Sequence, residues 1–545
     1  MTIDGALVSH NGRVALVDGD GARVGAAADL PRLVPNGHRR YAVWSAARDL
    51  APLLRGAQIL PRILDLSECH RILNGGWRAD PGVVWAGAQG HDITQVEVDS
   101  PDDLFAVLRD TGDPASLLSP ASYLRADAVT GRWLTDDDRL RQWAQAAADS
   151  GRLLWAQLAA VGPRAQSLAV SESAAALLCV ELERDGLPVD RSTLMRDIAT
   201  AAGPRPANET DARNLRAERD QRVLALAPGH ERCDLRNPAD VRAMLAAIGI
   251  DVPTTRKWVL EAYREAHPVI PALLAWRRDE RVATTYGYAW LDAHVGADDR
   301  LRGQWNACDG AAGRMTASNG LHNLPVALRP GIAAAPGWSF VRADLGQIEP
   351  RVLAAVSADP AFAAATVADD LYAPVAATLR VERSVAKVAV LAAMYGQRSG
   401  TAGRALAGLE RAYPHAMAFL DRAYAAGAAR ATLRTFGGRA IPTAGIVDEG
   451  SRGRYARNAL IQGAAAELFK AWAATVRVTT ADLDAQIVLC LHDELLVHCP
   501  SPRAREVAER VDQSLTDAAR RWSGGAPVRF VADTQIVARW SDAAK

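Results

Sequence analysis

Lysine is nearly missing from this 545-residue chain: of 63 basic residues only Lys257, Lys387, Lys470 and Lys545 are lysine, and the rest are arginine. A lysine kept inside a motif therefore carries more information here than usual. Cysteine is sparse too. Cys69, Cys179, Cys233, Cys308, Cys490 and Cys499 show no Cys-x-x-Cys spacing, which argues against a zinc site or disulfide framework and for a reducing compartment. Neither a run of eighteen or more apolar residues nor a signal peptide is apparent, so a cytoplasmic protein without membrane contact is expected. Net charge is zero, with 63 acidic residues against 63 basic. Any nucleic-acid surface must then be a local patch. What is present is ordinary for a globular protein: 49% hydrophobic and 23% charged residues. The length suits about three domain-sized units.

The most informative stretch is Ile487 to Cys499, IVLCLHDELLVHC. An apolar run of this length, interrupted by His492-Asp493-Glu494, predicts a buried β-hairpin with polar residues at its bend. An ordinary bend uses Gly, Asn, Asp or Ser, and of these only Asp is here. Two adjacent carboxylates between apolar strands are costly near a core unless something positive neutralises them. A divalent metal is the obvious candidate, and it needs a further carboxylate. Trp338 to Asp344 (WSFVRAD) reads as a short strand ending in an acid, and Gln347 to Leu353 as the start of a helix. Each Asp alone reads as a turn residue. On neighbouring strands, Asp344 and Asp493 become a two-metal site.

Residues 1 to about 165 form a first unit, with strands expected at Ala6–Ser9 and Arg13–Asp18 and helices near Ala46–Leu54 and Arg139–Val161. Asp18 and Asp20 read as a turn. A strong helix, Glu172–Glu183, closes at Asp185-Gly186. Polar, Arg-rich helices follow to about Ala293, broken at Val252–Thr255 before Arg256-Lys257; these read as solvated faces or an extended arm. Gly313–Pro325 is a loop in which Arg314, His322 and Asn323 can donate to the acceptors that every base pair shows in the minor groove. Arg383, Lys387, Leu391 and Tyr395 fall at i, i+4, i+8 and i+12 of a helix ended by Gly396. A solvated basic face does not explain why Leu and Tyr continue the stripe; phosphates at one end and a base at the other do. Arg454, Asn458 and Gln462 repeat the spacing before Gly463-Ala464-Ala465-Ala466, which suits a helix lying against a groove.

These residues resemble the family A DNA polymerases. The matching motifs are DLGQIEPR at Asp344–Arg351, RSVAKVAVLAAMYG at Arg383–Gly396 and HDE at His492–Glu494. GRMTASNGLHNLP at Gly313–Pro325, RNALIQGAAAE at Arg457–Glu467 and LERDGLPVD at Leu182–Asp190 support them, in the right order from about residue 172 to the C-terminus. The resemblance implies a mixed α/β right-hand architecture. Its palm would take about 172–190, 300–358 and 440–545, its thumb about 190–300 and its fingers about 359–439.

The implied activity is template-directed addition of dNTPs to a primer 3′-OH, in repair or gap filling, by a nucleoid-associated monomer; a catalytically inactive DNA-binding scaffold is the alternative. Asp344 and Asp493 would bind two Mg²⁺ ions, with Mn²⁺ an alternative, and Glu494 would support them. Arg383 and Lys387 would grip the triphosphate. Tyr395 would lie by the template base, Glu349 would sit against the sugar, and Gln347, Leu391 and Tyr372 would complete the nucleotide site. Arg314, His322, Asn323, Asn458, Gln462 and His492 would face the primer–template minor groove and primer end, and Arg256 and Lys257 would also contact DNA. Four positions depart from the family pattern: Leu391 replaces an aromatic residue, Ala392 a Gly, Leu345 a Tyr and Tyr372 a His. Residues 1–165 fall where the family carries a ribonuclease H-like 3′–5′ exonuclease-type domain. There Arg48 replaces an acidic ligand, Trp44 an Asn, and Gln145 the Tyr expected before Asp149, so this domain is expected to be inactive.

Overall fold

The computed structural model describes residues 3–34, 39–54, 62–97, 113–310, 312–396 and 402–543; Lys545 and residues 397–401 of the expected fingers lie outside it. Two compact units emerge. The first comprises Met1–Asp185, Gln304–Thr316 and Val341–Ile536, the second Gly186–Gly303, Ala317–Phe340 and Val537–Lys545.

The first unit begins with a five-stranded sheet ordered Gly21–Ala26, Arg13–Asp18, Gly5–His10, Arg40–Val43, Arg62–Asp65. The first three strands are antiparallel and the last two parallel to Gly5–His10. Both faces of the central strands are covered, which explains the unbroken apolar run Ala6-Leu7-Val8, fully buried. The helix Asp137–Val161 supplies one cover, its Trp143 ring 4.8 Å from that of Trp44. The helix expected at Ala46–Leu54 is a single turn, Ala46–Asp49. Asp49 turns its carboxylate back to the Trp44 amide at 2.7 Å, and Pro52 has no amide to continue a helix. The helix expected over Glu172–Glu183 runs further, Pro163–Asp185, starting at a proline whose missing N–H costs nothing at a first position. It therefore crosses the expected domain boundary near 165–172. By length and composition this helix could cross a membrane, but 67% of the relevant window is buried inside the fold. It is a core helix.

A second sheet in this unit has the order Gln486–Cys490, Glu494–Pro500, Trp338–Leu345, Ala532–Val537. The hairpin is as the sequence suggests: Gln486 pairs with His498, Ile487 with Val497 and Cys490 with Leu495, and Leu491 to Asp493 make the bend. Behind it lies the helix Glu449–Thr479, capped by Asp448 and buried along most of its length. One network ties this helix to Pro163–Asp185. Lys470 Nζ reaches Glu172 Oε2 at 2.5 Å and donates to the carbonyls of Ala307 and Gly313, while Arg439 meets the same carboxylate at 2.7 Å. An isolated buried ion would be costly; here each charge has partners. All six cysteines are free thiols.

The second unit is built of the helices Arg191–Ala202, Glu209–Leu224, Pro238–Ala247, Lys257–Glu261, Val269–Thr285 and Tyr288–His294. The break at 252–255 is present. The solvated-face expectation is corrected, because these helices enclose their own core of Val223, Leu245, Leu260, Ile270, Leu273 and Trp276. Arginine-rich spacing hides that core from a periodicity reading: Arg219 is itself buried, paired with Glu280 at 3.1 Å.

Candidate active site at paired strand ends

Strands Trp338–Leu345 and Glu494–Pro500 are neighbours, and at their ends the Leu345 amide donates to the Asp493 carbonyl at 2.7 Å. Asp344 and Asp493 are thus brought together by main-chain pairing, although nothing local links them. Asp493 sits on the open bend, yet the protein around it still desolvates its carboxyl and, with Glu494 beside it, raises its pKa. Burial, then Arg314, lowers that of His492.

The site contains a cation that the motifs did not reveal. Arg342, two residues before Asp344 and so on the same face of the strand, is 3% exposed at its side chain. Its guanidinium meets Asp344 at 2.5 Å and Glu494 at 2.9 Å. Glu494 is therefore turned into the sheet toward Arg342. A charge inside an otherwise apolar strand was the available signal for it.

Among the described residues no group of three or more His, Cys, Asp or Glu side chains is gathered to hold a metal. The candidate donors are the two aspartates. Hard oxygen donors of this number fit Mg²⁺, which is commonly held by one or two carboxylates and completes its shell with water and substrate phosphates. Burial, and then the neighbouring Glu494 charge, raise the pKa of Asp493, and a cation bound there would offset both.

After Asp344 the chain turns through Gln347, whose φ of 55° precedes the helix Ile348–Ser357. The Gln347 amide group donates to Asp370 at 3.1 Å and its oxygen accepts from the Leu371 amide at 2.8 Å. Asp370 also binds Arg383 twice, at 2.5 and 3.1 Å. Two residues on, Glu349 accepts from Arg314 and from the Tyr395 phenol, both at 2.9 Å. Arg383 and Tyr395 are the two ends of the helix Arg383–Tyr395. Both ends of the stripe are thus tied to the turn that leaves Asp344. Along it, Arg383 and Lys387 are exposed and Leu391 and Tyr395 half-buried. Gly396, with φ of 72°, ends the helix in the left-handed region.

Other expected residues divide between the two units. Tyr372 is buried under the Arg383 guanidinium, 5.8 Å from its ring, and burial with Glu349 nearby pushes its phenol up to about 12. Asn458 and Gln462 share an open groove with Arg314, Thr316 and Tyr455; Arg454 on the same helix is exposed. The expected loop Gly313–Pro325 is partly a strand, Arg314–Ala317. His322, Asn323, Arg256 and Lys257 belong to the second unit. There His322 Nδ1 accepts from the Ala317 amide at 2.7 Å, and the Asn323 carbonyl accepts from Arg281 at 2.7 Å and Tyr286 at 2.9 Å. Asp370 and Arg342 were missed in the sequence, as was Arg351, whose guanidinium donates to five main-chain carbonyls, those of Gly346, Thr366, Ala368, Asp369 and Arg529.

The fold is that of a DNA polymerase domain. The Pol domain of Pol1 from M. smegmatis, solved in complex with DNA primer-template and dNTP, superposes with a TM-score of 0.69 over 97% of this chain and 93% of that one, at 20% identity. The model of DNA polymerase family A matches residues 235–542, more than half of the chain. The chain belongs to DNA polymerase family A. Among similar proteins, DNA polymerase I of Chloroflexus aurantiacus is 30% identical over 284 residues, 46% of this chain and 30% of that protein. The thermostable DNA polymerase I of Thermus thermophilus is 28% identical over 299 residues, 49% of this chain and 36% of its own length. The match spans about a third of these relatives.

Proposed function

We propose that this chain adds dNTPs to a primer 3′-OH under the direction of a template. The observation that carries this reading is the placing of Asp344 and Asp493 at adjacent strand ends, where the Leu345 amide donates to the Asp493 carbonyl, with Arg383 of the cationic stripe tied to the same turn through Asp370. Two Mg²⁺ ions, or Mn²⁺, held by Asp344 and Asp493 would make the 3′-OH more acidic and neutralise charge on the leaving pyrophosphate. Arg383 would exchange its carboxylate partner Asp370 for the triphosphate, one charge-assisted pair for another. Lys387 adds a compact charge one turn on. Glu349, held from two sides, would sit against the sugar and exclude a ribose 2′-OH, and Leu391 would offer the sugar less surface than an aromatic ring. Closure of this helix over a correct base pair would test pair shape before reaction.

The N-terminal sheet and its covering helices support an exonuclease-type α/β domain, and we infer that it does not proofread. Asp65 spends its carboxylate on the amides of Ala46 at 2.7 Å and Glu68 at 3.0 Å, as a helix cap. Arg48 directs its guanidinium to the Val129 carbonyl. Synthesis without proofreading suits short repair or gap-filling tracts on nucleoid DNA. One observation favours the inactive scaffold: Arg342 already occupies part of the Asp344 carboxylate.

Primer extension with Mg²⁺ and all four dNTPs separates the two readings. Extension by the wild type, lost in Asp344→Asn and Asp493→Asn while DNA binding persists, supports the polymerase. DNA binding without extension leaves the scaffold.

A further inference from the structure

The helix Leu66–Asn74 ends on Gly75 and Gly76, with φ of 68° and 83°, and Trp77 and Arg78 follow. This turn is anchored on both sides. Before it, Arg434 donates to the carbonyls of Ile72 at 3.3 Å and Leu73 at 3.2 Å. Gly75 lies so close to the segment 440–442 that a Cβ there would come within 2.9 Å of the Pro442 ring. After it, Arg78 folds back on Asp80 at 3.0 Å, and Asp80 caps the helix Pro81–Gln89 through the Val83 amide at 3.2 Å. Between these anchors Trp77 is 69% exposed. A large indole is ordinarily among the most deeply buried surfaces of a protein; here an anchored turn holds it out.

Trp77 stands on the rim of a groove of about 410 Å³, whose walls include Arg314, Thr316, Tyr455, Asn458, Gln462 and Asp309. Their chemistry limits the occupant. The amides of Asn458 and Gln462 can pair with base or sugar edges. Arg314 already shares its charge with Glu349, and Asp309 repels a phosphate. The groove therefore suits a neutral aromatic face with hydrogen-bonding edges better than a sugar-phosphate backbone. Inside a duplex the bases cover one another, so away from its ends a free face exists only on an unpaired base. Aromatic side chains stack on such faces with little regard to sequence.

We propose that Trp77 is the stacking platform of a subsite for an unpaired DNA base, contributed to this groove by the N-terminal part of the chain. The proposal rests on the reading of the groove as part of a primer–template site. It gives the N-terminal part a role in holding DNA that needs no metal ligands of its own.

Binding of the full chain to three labelled DNAs of equal length tests it: a blunt paired duplex, the same duplex with a mismatched primer 3′ end, and one with an unpaired 5′ template extension. Trp77→Ala should weaken binding to the DNA that carries the bound base by roughly 5- to 150-fold, and leave the blunt duplex within about twofold. Trp77→Phe should retain most of the affinity. Whichever of the two unpaired DNAs loses affinity identifies the source of the base. Unchanged affinity on all three, or an equal loss on all three, overturns the subsite. Extension by the same preparations keeps the failures apart. A wild type that binds DNA but extends no primer refutes the synthesis reading and leaves the binding comparison intact.

Discussion

The Tyr395 phenol donates to the Glu349 carboxylate across 2.9 Å, joining the end of the cationic helix to the helix that leaves Asp344. Arg314 holds the same carboxylate from the other side at 2.9 Å. Burial pushes the Tyr395 phenol up, and the neighbouring Glu349 adds to this, so Tyr395 is a donor at neutral pH. The side chain expected to judge the sugar is therefore positioned by a residue expected to meet the base.

Sugar selection tests this arrangement. Glu349→Gly should admit ribonucleotides readily, and the ratio of kcat/KM for dNTP over rNTP should collapse. Tyr395→Phe leaves Arg314 in place, so the ratio should fall by only about 3- to 10-fold, less than a full charged hydrogen bond of about 1.5–3 kcal/mol would give. Leu391→Phe should tighten nucleotide binding by about 2- to 10-fold, the worth of one aromatic contact. An unchanged ratio in Glu349→Gly removes Glu349 as the gate.

Arg342 and Glu494 form a buried pair, 3% and 6% exposed at their side chains. Removing the cation alone takes the Arg342 partner from the buried Glu494 charge, so Arg342→Met should cost about 3–5 kcal/mol in chemical denaturation. Glu494→Gln in the Arg342→Met background should restore most of that loss, because the buried charge is gone as well. The Asp344 side chain is 33% exposed and can turn to water instead. If the double variant is no more stable than Arg342→Met, the pair is not the origin of the loss.

The pH dependence of stability should carry the mark of Asp49. Burial pushes its carboxyl from the ordinary 3.8 to about 7, and burial with Glu68 raises that of Asp65 as well. Across that window the native chain keeps a proton that the unfolded chain has released, so this contribution is full below the unfolded pKa and is lost as pH rises through the folded one. Asp49→Asn removes it. The variant should gain on the wild type as pH rises, by on the order of 2 kcal/mol between about pH 5 and about pH 8. Thermal unfolding at both values checks this; a difference that does not change with pH contradicts it.

A mismatched primer incubated with the protein and Mg²⁺, without dNTPs, should keep its length. Asp65 is committed to capping a helix and Asp149 accepts from Gln145 at 3.0 Å and pairs with Arg152. Shortening that disappears in Asp65→Ala or Asp149→Ala would make the N-terminal domain a working exonuclease.

Much of the candidate site was legible because its signals are local. Unbroken apolar runs on either side of His492-Asp493-Glu494 define a hairpin from a few neighbours, and the spacing from Arg383 to Tyr395 needs only one helix. The Arg-rich helices of the second unit misled for the same reason, since a core assembled from Val223, Leu245 and Trp276 on separate helices has no local period. What the sequence by itself determined about this protein was which elements form and which polar residues end them. Tertiary structure alone decided the partners: Leu345 on Asp493, Arg342 between Asp344 and Glu494, Asp370 between Gln347 and Arg383, and Trp77 on the rim of the groove. Hydrogen bonds, ion pairs and desolvation act between atoms a few ångströms apart, and the chain brings those atoms together from segments far apart in sequence.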